Sequence, residues 1–479
     1  MDDWLGDLAQ IAEQEKLWSP GDTIVVAVSG GPDSTALLHL LARLAPSQQL
    51  KLIAAHVNHG FRPEESAREE AAVQQFASEL GVVYEYTKLN MPAYIEETKM
   101  NAQAAAREKR YSFLFEVAKK HGAASIALGH HADDQAETVL MRIIRGTGPS
   151  GLSGIAWRRT EKNVELIRPL LRRNKADILR YCEQWGVSFS EDSSNGKRTY
   201  FRNLIRLDVL PYLSTLNPQL SQSLVRLAEL ATAEDDWMEH ETRVAFGRDI
   251  TLVSEGCHMT CKALLDLHVA LQRRLIKLIL NCVGMVTETI SFDSVETIRL
   301  AAYDSAPSTW SLDVGSGVRF VREYDKLCFI RAGKGNNLTS SEAGYHYVVA
   351  EGITRLEMPD AEAELLFEGL LPNEKSRPRD KQEALFDADQ IAYPLTVRNR
   401  RPGDRMQVLG LNGTKKVQDM FVDDRIAPSR RERMPILVDA AGRILWIPGV
   451  RRSEYAQING STKHILRVRA LFTAADNFD

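Results

Sequence analysis

The first 150 residues predict an α/β fold with a parallel sheet and helices on both faces, because apolar β-branched runs alternate with helical segments along the whole stretch. TIVVAV (23–28) is the first strand and ends in Ser-Gly-Gly-Pro, and STALLHLLARL (34–44) follows as a helix. KLIAAHV (51–57) is the second strand. A helix over 63–80 opens with proline and acids, as helix starts prefer. VVYEYTKL (82–89) is the third strand, 101–120 a long helix, SIALGH (125–130) the fourth strand and 132–145 the helix after it. Ligands of such sheets sit outside the carboxyl ends of the strands.

Beyond residue 151 the pattern changes. Residues 158–206 read as loop-rich and basic, with 12 Lys+Arg against 6 Asp+Glu. Long helices are expected over 217–245 and 261–282, then a small mixed region to about 331. Residues 351–389 are acid-rich and proline-interrupted and read partly as linker. Short β-rich runs from 394 to about 468 predict a compact last domain, in which 396–455 carries 13 Lys+Arg against 7 Asp+Glu. The expected division is an α/β domain over 1–215, a mainly helical middle domain over 216–335, a linker region over 336–390 and a small basic α+β domain over 391–479.

The chain of 479 residues is 44% hydrophobic and 26% charged, ordinary for a globular protein of several domains. Its net charge of −4 excludes a uniform polycation, so any nucleic-acid surface must come from local clusters. Five scattered cysteines without a Cys-x-x-Cys pair suit a reducing compartment. Cys257 and Cys261, with His258 between them, lack a second ligand pair nearby and read as ordinary cysteines. The amino terminus lacks a basic start and an apolar stretch, and no run of about 18 apolar residues occurs. A cytoplasmic location with no membrane contact is the expectation.

Ser29-Gly30-Gly31-Pro32-Asp33-Ser34 lies where a strand gives way to a helix. Glycines let the backbone turn and approach a ligand closely, and a helix start favours a phosphate. Ser29 and Ser34 add hydroxyl donors. Asp33 repels phosphate, so it makes sense as a Mg²⁺ contact or as the group that poises a substrate. Gly-Gly-Pro-Asp is also common turn chemistry. Neither Gly-x4-Gly-Lys-Ser/Thr nor Gly-x-Gly-x-x-Gly fits. Two more strand ends carry chemistry: His56-Val57-Asn58-His59-Gly60, and Gly129-His130-His131-Ala132-Asp133-Asp134-Gln135-Ala136-Glu137. His130 and Asp134 are four apart and suited to one helical face, although Asp133 or Asp134 also suits a helix cap.

SGGPDS after an apolar strand resembles the PP-loop of the N-type ATP pyrophosphatases. Together with HVNHG and GHHADDQAETVLMRIIRGTG it closely resembles the tRNA(Ile)-lysidine synthetase family. AAAREKRY (104–111), IRPLL (167–171), EDSSN (191–195), RNLIR (202–206) and RNRRPGDRM (398–406) fit that family too. Residues 219–389 carry no matching motif.

The resemblance implies a PP-loop ATPase fold, ATP and Mg²⁺ as cofactors, L-lysine and a CAU-anticodon tRNA(Ile) as substrates, and a homodimer as a family trait. The reaction it implies adenylates the C2 oxygen of the wobble cytidine, after which the lysine ε-amine displaces AMP. On this reading Ser29, Gly30, Gly31, Pro32, Asp33, Ser34, His56 and Asn58 bind ATP, and Asp33 and Asp134 contact Mg²⁺ or the amine. His130 stabilises phosphate or handles a proton. Arg107 or Arg110, with Arg202 or Arg206, offset pyrophosphate charge or hold the base. Arg172, Arg173, Arg400, Arg401 and Arg405 contact RNA. Three rival readings are a tRNA thiolase, disfavoured by the lack of paired cysteines, a PP-loop synthetase of a small molecule, disfavoured by the basic carboxy-terminal domain, and a non-catalytic RNA-binding relative, disfavoured by the intact Asp33, His130 and Asp134.

Overall fold

The computed structural model describes residues 3–60, 63–190, 201–284, 290–303, 307–315, 317–331, 344–371, 377–410 and 413–472. Two compact units emerge, Met1–Glu239 and His240–Asp479.

In the first unit the elements run α1 (Asp3–Gln14), β1 (Thr23–Ala27), α2 (Pro32–Gln48), β2 (Lys51–Asn58), α3 (Pro63–Glu79), β3 (Val83–Lys88), α4 (Met91–Thr98) and α5 (Ala102–His121). They continue as β4 (Ser125–Ala127), α6 (Ala132–Arg145), α7 (Pro149–Leu152), β5 (Arg158–Glu161), β6 (Val164–Ile167), α8 (Lys175–Trp185), α9 (Phe201–Leu204), a π-helical turn (Ile205–Val209), α10 (Leu210–Leu216) and α11 (Leu220–Asp249). The sheet order is β3-β2-β1-β4-β6-β5; every pair is parallel except β5–β6. The expected parallel sheet is thus present, extended at one edge by a hairpin.

β1 sits centrally, with Ile24, Val25 and Val26 fully buried between two layers, which is why it reads as an unbroken apolar run. Leu37, Leu38, Leu40 and Leu41 of α2 pack with Tyr181 and Cys182 of α8 on one face. Tyr111, Leu114, Val117 and Ala118 of α5 pack on the other. α5 is bounded by residues suited to its ends: the Asn101 side chain accepts the Gln103 N–H, and Gly122 ends it in a left-handed conformation.

The stretch 158–206, expected to be loop-rich, instead supplies β5, β6 and α8. Some of its charged residues, such as Arg158, Arg159 and Arg180, sit on the exposed edge hairpin and the outer face of α8, so composition outweighed periodicity in that reading. The EDSSN segment lies outside the described residues.

In the second unit, β7 (Thr251–Val253), β8 (Gly256–Thr260), β9 (Thr309–Gly315), β10 (Val318–Glu323) and β11 (Lys326–Arg331) form an antiparallel sheet of order β7-β8-β11-β10-β9. Its apolar face meets α12 (Cys261–Leu265), α13 (Val269–Val283) and α14 (Phe292–Ala301). The helices expected in the middle segment are there, but the five-stranded sheet was not expected. The single helix read over 261–282 is two. Thr260 caps the first through the Ala263 N–H, and His268 caps the second through the Ala270 N–H.

The stretch read as linker is folded. β12 (His346–Val349), β13 (Arg355–Met358), β14 (Ala363–Leu370) and β15 (Glu383–Asp387) join β16 (Leu395–Arg398), β17 (Arg405–Gln407), β18 (Thr414–Lys416), β19 (Ile436–Val438), β20 (Ile444–Ile447), β21 (Arg451–Arg452) and β22 (Ile465–Phe472). Two sheets, β12-β16-β19-β20-β21 and β13-β14-β22-β15, share one core containing Leu365, Phe367, Phe386, Leu395, Leu437, Trp446 and Val468. The strands are short, β14 alternates apolar residues with the partly exposed Glu364, β15 buries its own acids Glu383 and Asp387, and Pro359 opens a 3₁₀ turn, so the segment looks like linker by composition. Among the described residues, no helix is long and apolar enough to cross a membrane.

Leu37 is fully buried on α2 directly behind the loop that precedes it. Leu37→Ala is expected to cost roughly 2–5 kcal/mol in urea unfolding of the first unit.

Candidate active site

The loop between β1 and α2 is held by its own serines. Ser29 N–H donates to Ser34 Oγ (3.1 Å), and Ser34 Oγ–H and Thr35 Oγ1–H donate to the Gly31 carbonyl (3.0 and 2.9 Å). Gly30 has φ +88°, a conformation that disfavours any side chain, whereas Gly31 sits at φ −75° as the bare N-cap of α2. Pro32 occupies the first turn, where it fits the helix but offers no N–H, so it shapes the loop without donating to a ligand. The Asp33 and Ser34 N–H groups have no acceptor within the helix and lie at its positive end.

The fourth strand end reaches this loop because residue 129 has no side chain. A Cβ there would lie 3.1 Å from Ser34 N and 3.2 Å from the Asp33 carbonyl carbon. His131 is thereby brought beside Asp33. His131 Nε2 lies 3.8 Å from Asp33 Oδ1 and 3.5 Å from Asp134 Oδ2, and its Nδ1 lies 3.3 Å from Asp133 Oδ2. Burial alone would lower its pKa, but these three carboxylates raise it above the ordinary value.

His130 precedes α6 rather than sharing a helical face with Asp134, so the expected i,i+4 relation does not hold. The two still interact electrostatically. Burial, with Arg168, Arg202 and Arg107 nearby, pushes the His130 pKa down to about 4, and its Nδ1 is buried without a hydrogen-bond partner. His59 is pushed down to about 4 by burial and by Arg110.

Asp134 serves as a cap and also as a cluster member. Its Oδ2 accepts the His131 N–H (3.1 Å), while its Oδ1 accepts from Arg202 (2.7 Å) and Arg206 (3.0 Å). Both arginines also fork onto the fully buried Glu137, with Arg202 Nε at 2.8 Å and Arg206 Nη2 at 3.0 Å. Burial would raise the pKa of Asp134, yet His131 and Arg202 hold it below the usual range. Arg202 and Arg206, expected to meet pyrophosphate or base, are thus engaged with internal carboxylates. Arg206 lies in the π-helical turn, which aims it at the same pair as Arg202 four residues earlier.

His56 and Asn58 lie at the β2 end, but their polar atoms are used there. His56 Nδ1 is 2.9 Å from the Val28 carbonyl, and burial lowers its pKa. Asn58 donates to Glu70 (2.9 Å) and accepts the Gly60 N–H (3.0 Å). Through these bonds they brace two strand ends. On the α5 side, Arg107 lies over the Tyr111 ring at 4.7 Å, and Arg110 is 5.9 Å from the same ring.

Lys175 escaped the sequence reading. Its Nζ lies 2.7 and 2.8 Å from the two Asp33 oxygens, and its backbone N–H donates to Asp133 Oδ2 (2.7 Å). The signal was Asn174 followed by a helical pattern, hidden inside a basic stretch read as RNA surface. Arg172 and Arg173, in that same stretch, are taken up within the unit. Arg172 Nε donates to Glu229 (2.8 Å); Arg173 donates to Asp7 (2.5 Å) and covers the Trp4 ring at 4.3 Å.

In the second unit, Arg398 and Asp404 form a buried bidentate pair (2.8 and 2.9 Å) that closes the RNRRPGDR loop. Arg400 is tied to Gln418 and Glu432, while Arg401 and Arg405 are exposed.

Asp33 Oδ1 and Asp134 Oδ2 both approach the His131 Nε2 atom from separate strand ends. Among the described residues, no group of three or more His, Cys, Asp or Glu makes a protein-only metal cage.

A phosphate-type loop after the central strand, faced by carboxylates and imidazoles from the neighbouring strand end, defines a domain of the PP-loop class. The family profile described as PP-loop domain matches residues 7–213, and the one described as TilS substrate C-terminal domain matches residues 395–469. A Bacillus cereus protein named tRNA(Ile)-lysidine synthase is 35% identical over 95% of this chain and 94% of its own length. Proteins of the same name from Geobacillus kaustophilus (35%, covering 95% of this chain and 96% of that one) and Bacillus subtilis (34%, 94% and 94%) agree. The chain belongs to the tRNA(Ile)-lysidine synthase family.

His59 and His130 protonate near pH 6.5 in the unfolded chain but only near 4 when folded, so between those values unfolding takes up protons. His131 runs the other way: its contribution is present below 6.5 and is lost as pH rises through its raised folded value. Urea unfolding of the first unit is expected to lose on the order of 2 kcal/mol between pH 6.5 and 4.5, and His130→Asn to flatten that slope.

Proposed function

We propose that this chain ligates L-lysine to C2 of the wobble cytidine in the CAU anticodon of tRNA(Ile), with ATP converted to AMP and pyrophosphate. Family membership over nearly the whole chain is the observation that carries the reading. The names of the relatives supply the product, and the site supplies a chemistry that fits it.

The C2 oxygen of cytosine has no leaving group until it is adenylated. It attacks the α-phosphorus, the bond to pyrophosphate breaks, and the lysine ε-amine then attacks C2 with loss of AMP. The first step needs a triphosphate held in line, which suits a glycine loop at the positive end of α2. Charge developing on departing pyrophosphate meets a cationic side formed by Arg107, Arg110 and Arg168, whose proximity is recorded in the depressed His59 and His130 pKa values. His130, neutral at pH 7 with a buried unpartnered nitrogen, is suited to donate to a phosphate oxygen or accept a proton. Mg²⁺, held by Asp33 and Asp134 with phosphate oxygens, would neutralise charge on the triphosphate.

Arg202 and Arg206 act by fixing Asp134 and Glu137, and so keep a carboxylate at the site where an ammonium substrate is received. An anticodon loop makes extrusion of the target base cheap. Arg401 and Arg405, exposed on the clipped loop, supply electrostatic hold on tRNA, with Arg400 buttressing the loop. Thiolation is opposed by a specific observation: Cys182 is the one cysteine of the first unit, and burial pushes its thiol to about 11.

Labelled lysine is expected to enter a CAU-anticodon tRNA(Ile) transcript only when ATP is present; incorporation into no transcript, with sulfur transfer instead, would overturn the reading. Asp33→Ala is expected to abolish ATP–pyrophosphate exchange. Charge reversal at Arg401 and Arg405 is expected to weaken tRNA binding at least tenfold in filter binding while ATP binding changes less than twofold; equal loss of both would mark a folding defect instead.

A further inference from the structure

Asp33 poses an electrostatic problem. It lies in the first turn of the helix whose positive end is to receive a triphosphate, and a bare carboxylate there repels the ligand. The answer lies on α8. Lys175 places its ammonium on both Asp33 oxygens at 2.7 and 2.8 Å, with the lysine side chain 38% exposed and that of Asp33 27% exposed.

The position of this lysine is fixed from several directions. Asn174 caps α8 by accepting the Asp177 N–H (2.8 Å). The Lys175 N–H is held by Asp133, and the Ala132 N–H is held by the Arg173 carbonyl (2.8 Å), so the start of α8 is laced to the start of α6. Further along, Tyr181 Oη lies 2.7 Å from His39 Nδ1 on α2, and the Cys182 thiol reaches the Pro32 carbonyl at 3.8 Å. Beyond α8, the Ser190 N–H donates to the Gly30 carbonyl (2.9 Å). The helix that carries Lys175 is therefore bound to the phosphate loop, to the helix behind it and to the neighbouring carboxylate cluster. A long flexible side chain is in this way delivered to one carboxylate.

We propose that Lys175 is a positioning residue for the adenylation step: its ammonium is the resident counter-cation of Asp33. It cancels the carboxylate charge and draws it aside, so that the loop accepts the triphosphate of ATP. Asp133, Asp134 and Glu137 are balanced by His131, Arg202 and Arg206. Among the described residues, Lys175 is the ammonium paired with Asp33. The proposal rests on the reading that ATP occupies this loop.

The test is equilibrium binding of ATP by calorimetry, in EDTA, so that the charge of Asp33 is read and not its role as a metal ligand. The full chain is compared with Lys175→Met, Lys175→Arg, Asp33→Asn and the Asp33→Asn/Lys175→Met pair. Lys175→Met is expected to weaken ATP at least tenfold with tRNA binding unchanged, and Lys175→Arg to recover to within threefold of the parent. Asp33→Asn is expected to tighten ATP, and the double variant to regain most of what Lys175→Met loses. Lys175→Met within twofold of the parent, or a double variant as weak as Lys175→Met, overturns the proposal. If Lys175→Met fails to fold, Asp33→Asn decides alone: unchanged or weaker binding overturns it. A parent chain that binds no ATP instead removes the underlying reading of the loop.

Discussion

Neutralisation of fixed charge at the carboxyl edge of the sheet is the constraint on which the site depends. Four carboxylates, Asp33, Asp133, Asp134 and Glu137, converge where a polyanion is to bind; Asp33, Asp134 and Glu137 are matched by lysine or arginine from other segments, and Asp133 by His131 of its own. In a partly buried setting an unmatched carboxylate is costly in itself and repels phosphate as well. The matching cations come from α8 and from the α9–π-helix turn, both distant in sequence from the loop. The long excursion after β6 is therefore part of the catalytic domain rather than an appendage. Backbone proximity is equally strict, because the strand end carrying the histidines meets the phosphate loop only through the bare Gly129.

The balance of charge is also directional. Carboxylates and their partners gather on the α6 and α8 side, while the α5 side presents Arg107 and Arg110 with Arg168 behind them. The two histidines nearest those arginines are depressed, and the one nearest the carboxylates is raised.

Much of this was legible in the sequence. The strand–loop–helix reading of SGGPDS, the convergence of the second and fourth strand ends on it and the parallel sheet all follow from apolar runs of fixed period, a local signal. Pairing was not legible. Arg202 and Arg206 were recognised as site residues, but that they serve Asp134 and Glu137 depends on a fold in which residues some seventy positions apart meet. Lys175 was hidden because its neighbours are basic, and a basic stretch looks like RNA surface until Asp7 and Glu229 are seen to take up Arg173 and Arg172. The same weakness of composition made a linker of β12–β15, where acids such as Glu383 and Asp387 are in fact buried within the fold.

β22 closes the chain's described portion and lies between β14 and β15 in its sheet, pairing with both along its length. The carboxy-terminal strand is therefore interior to a sheet whose other members precede residue 388. A fragment beginning at residue 391 would carry eight residues of apolar strand with both hydrogen-bonding edges bare, the condition that invites self-association. An autonomous carboxy-terminal module of this protein has to begin before His346, well upstream of the point where its basic composition first becomes visible.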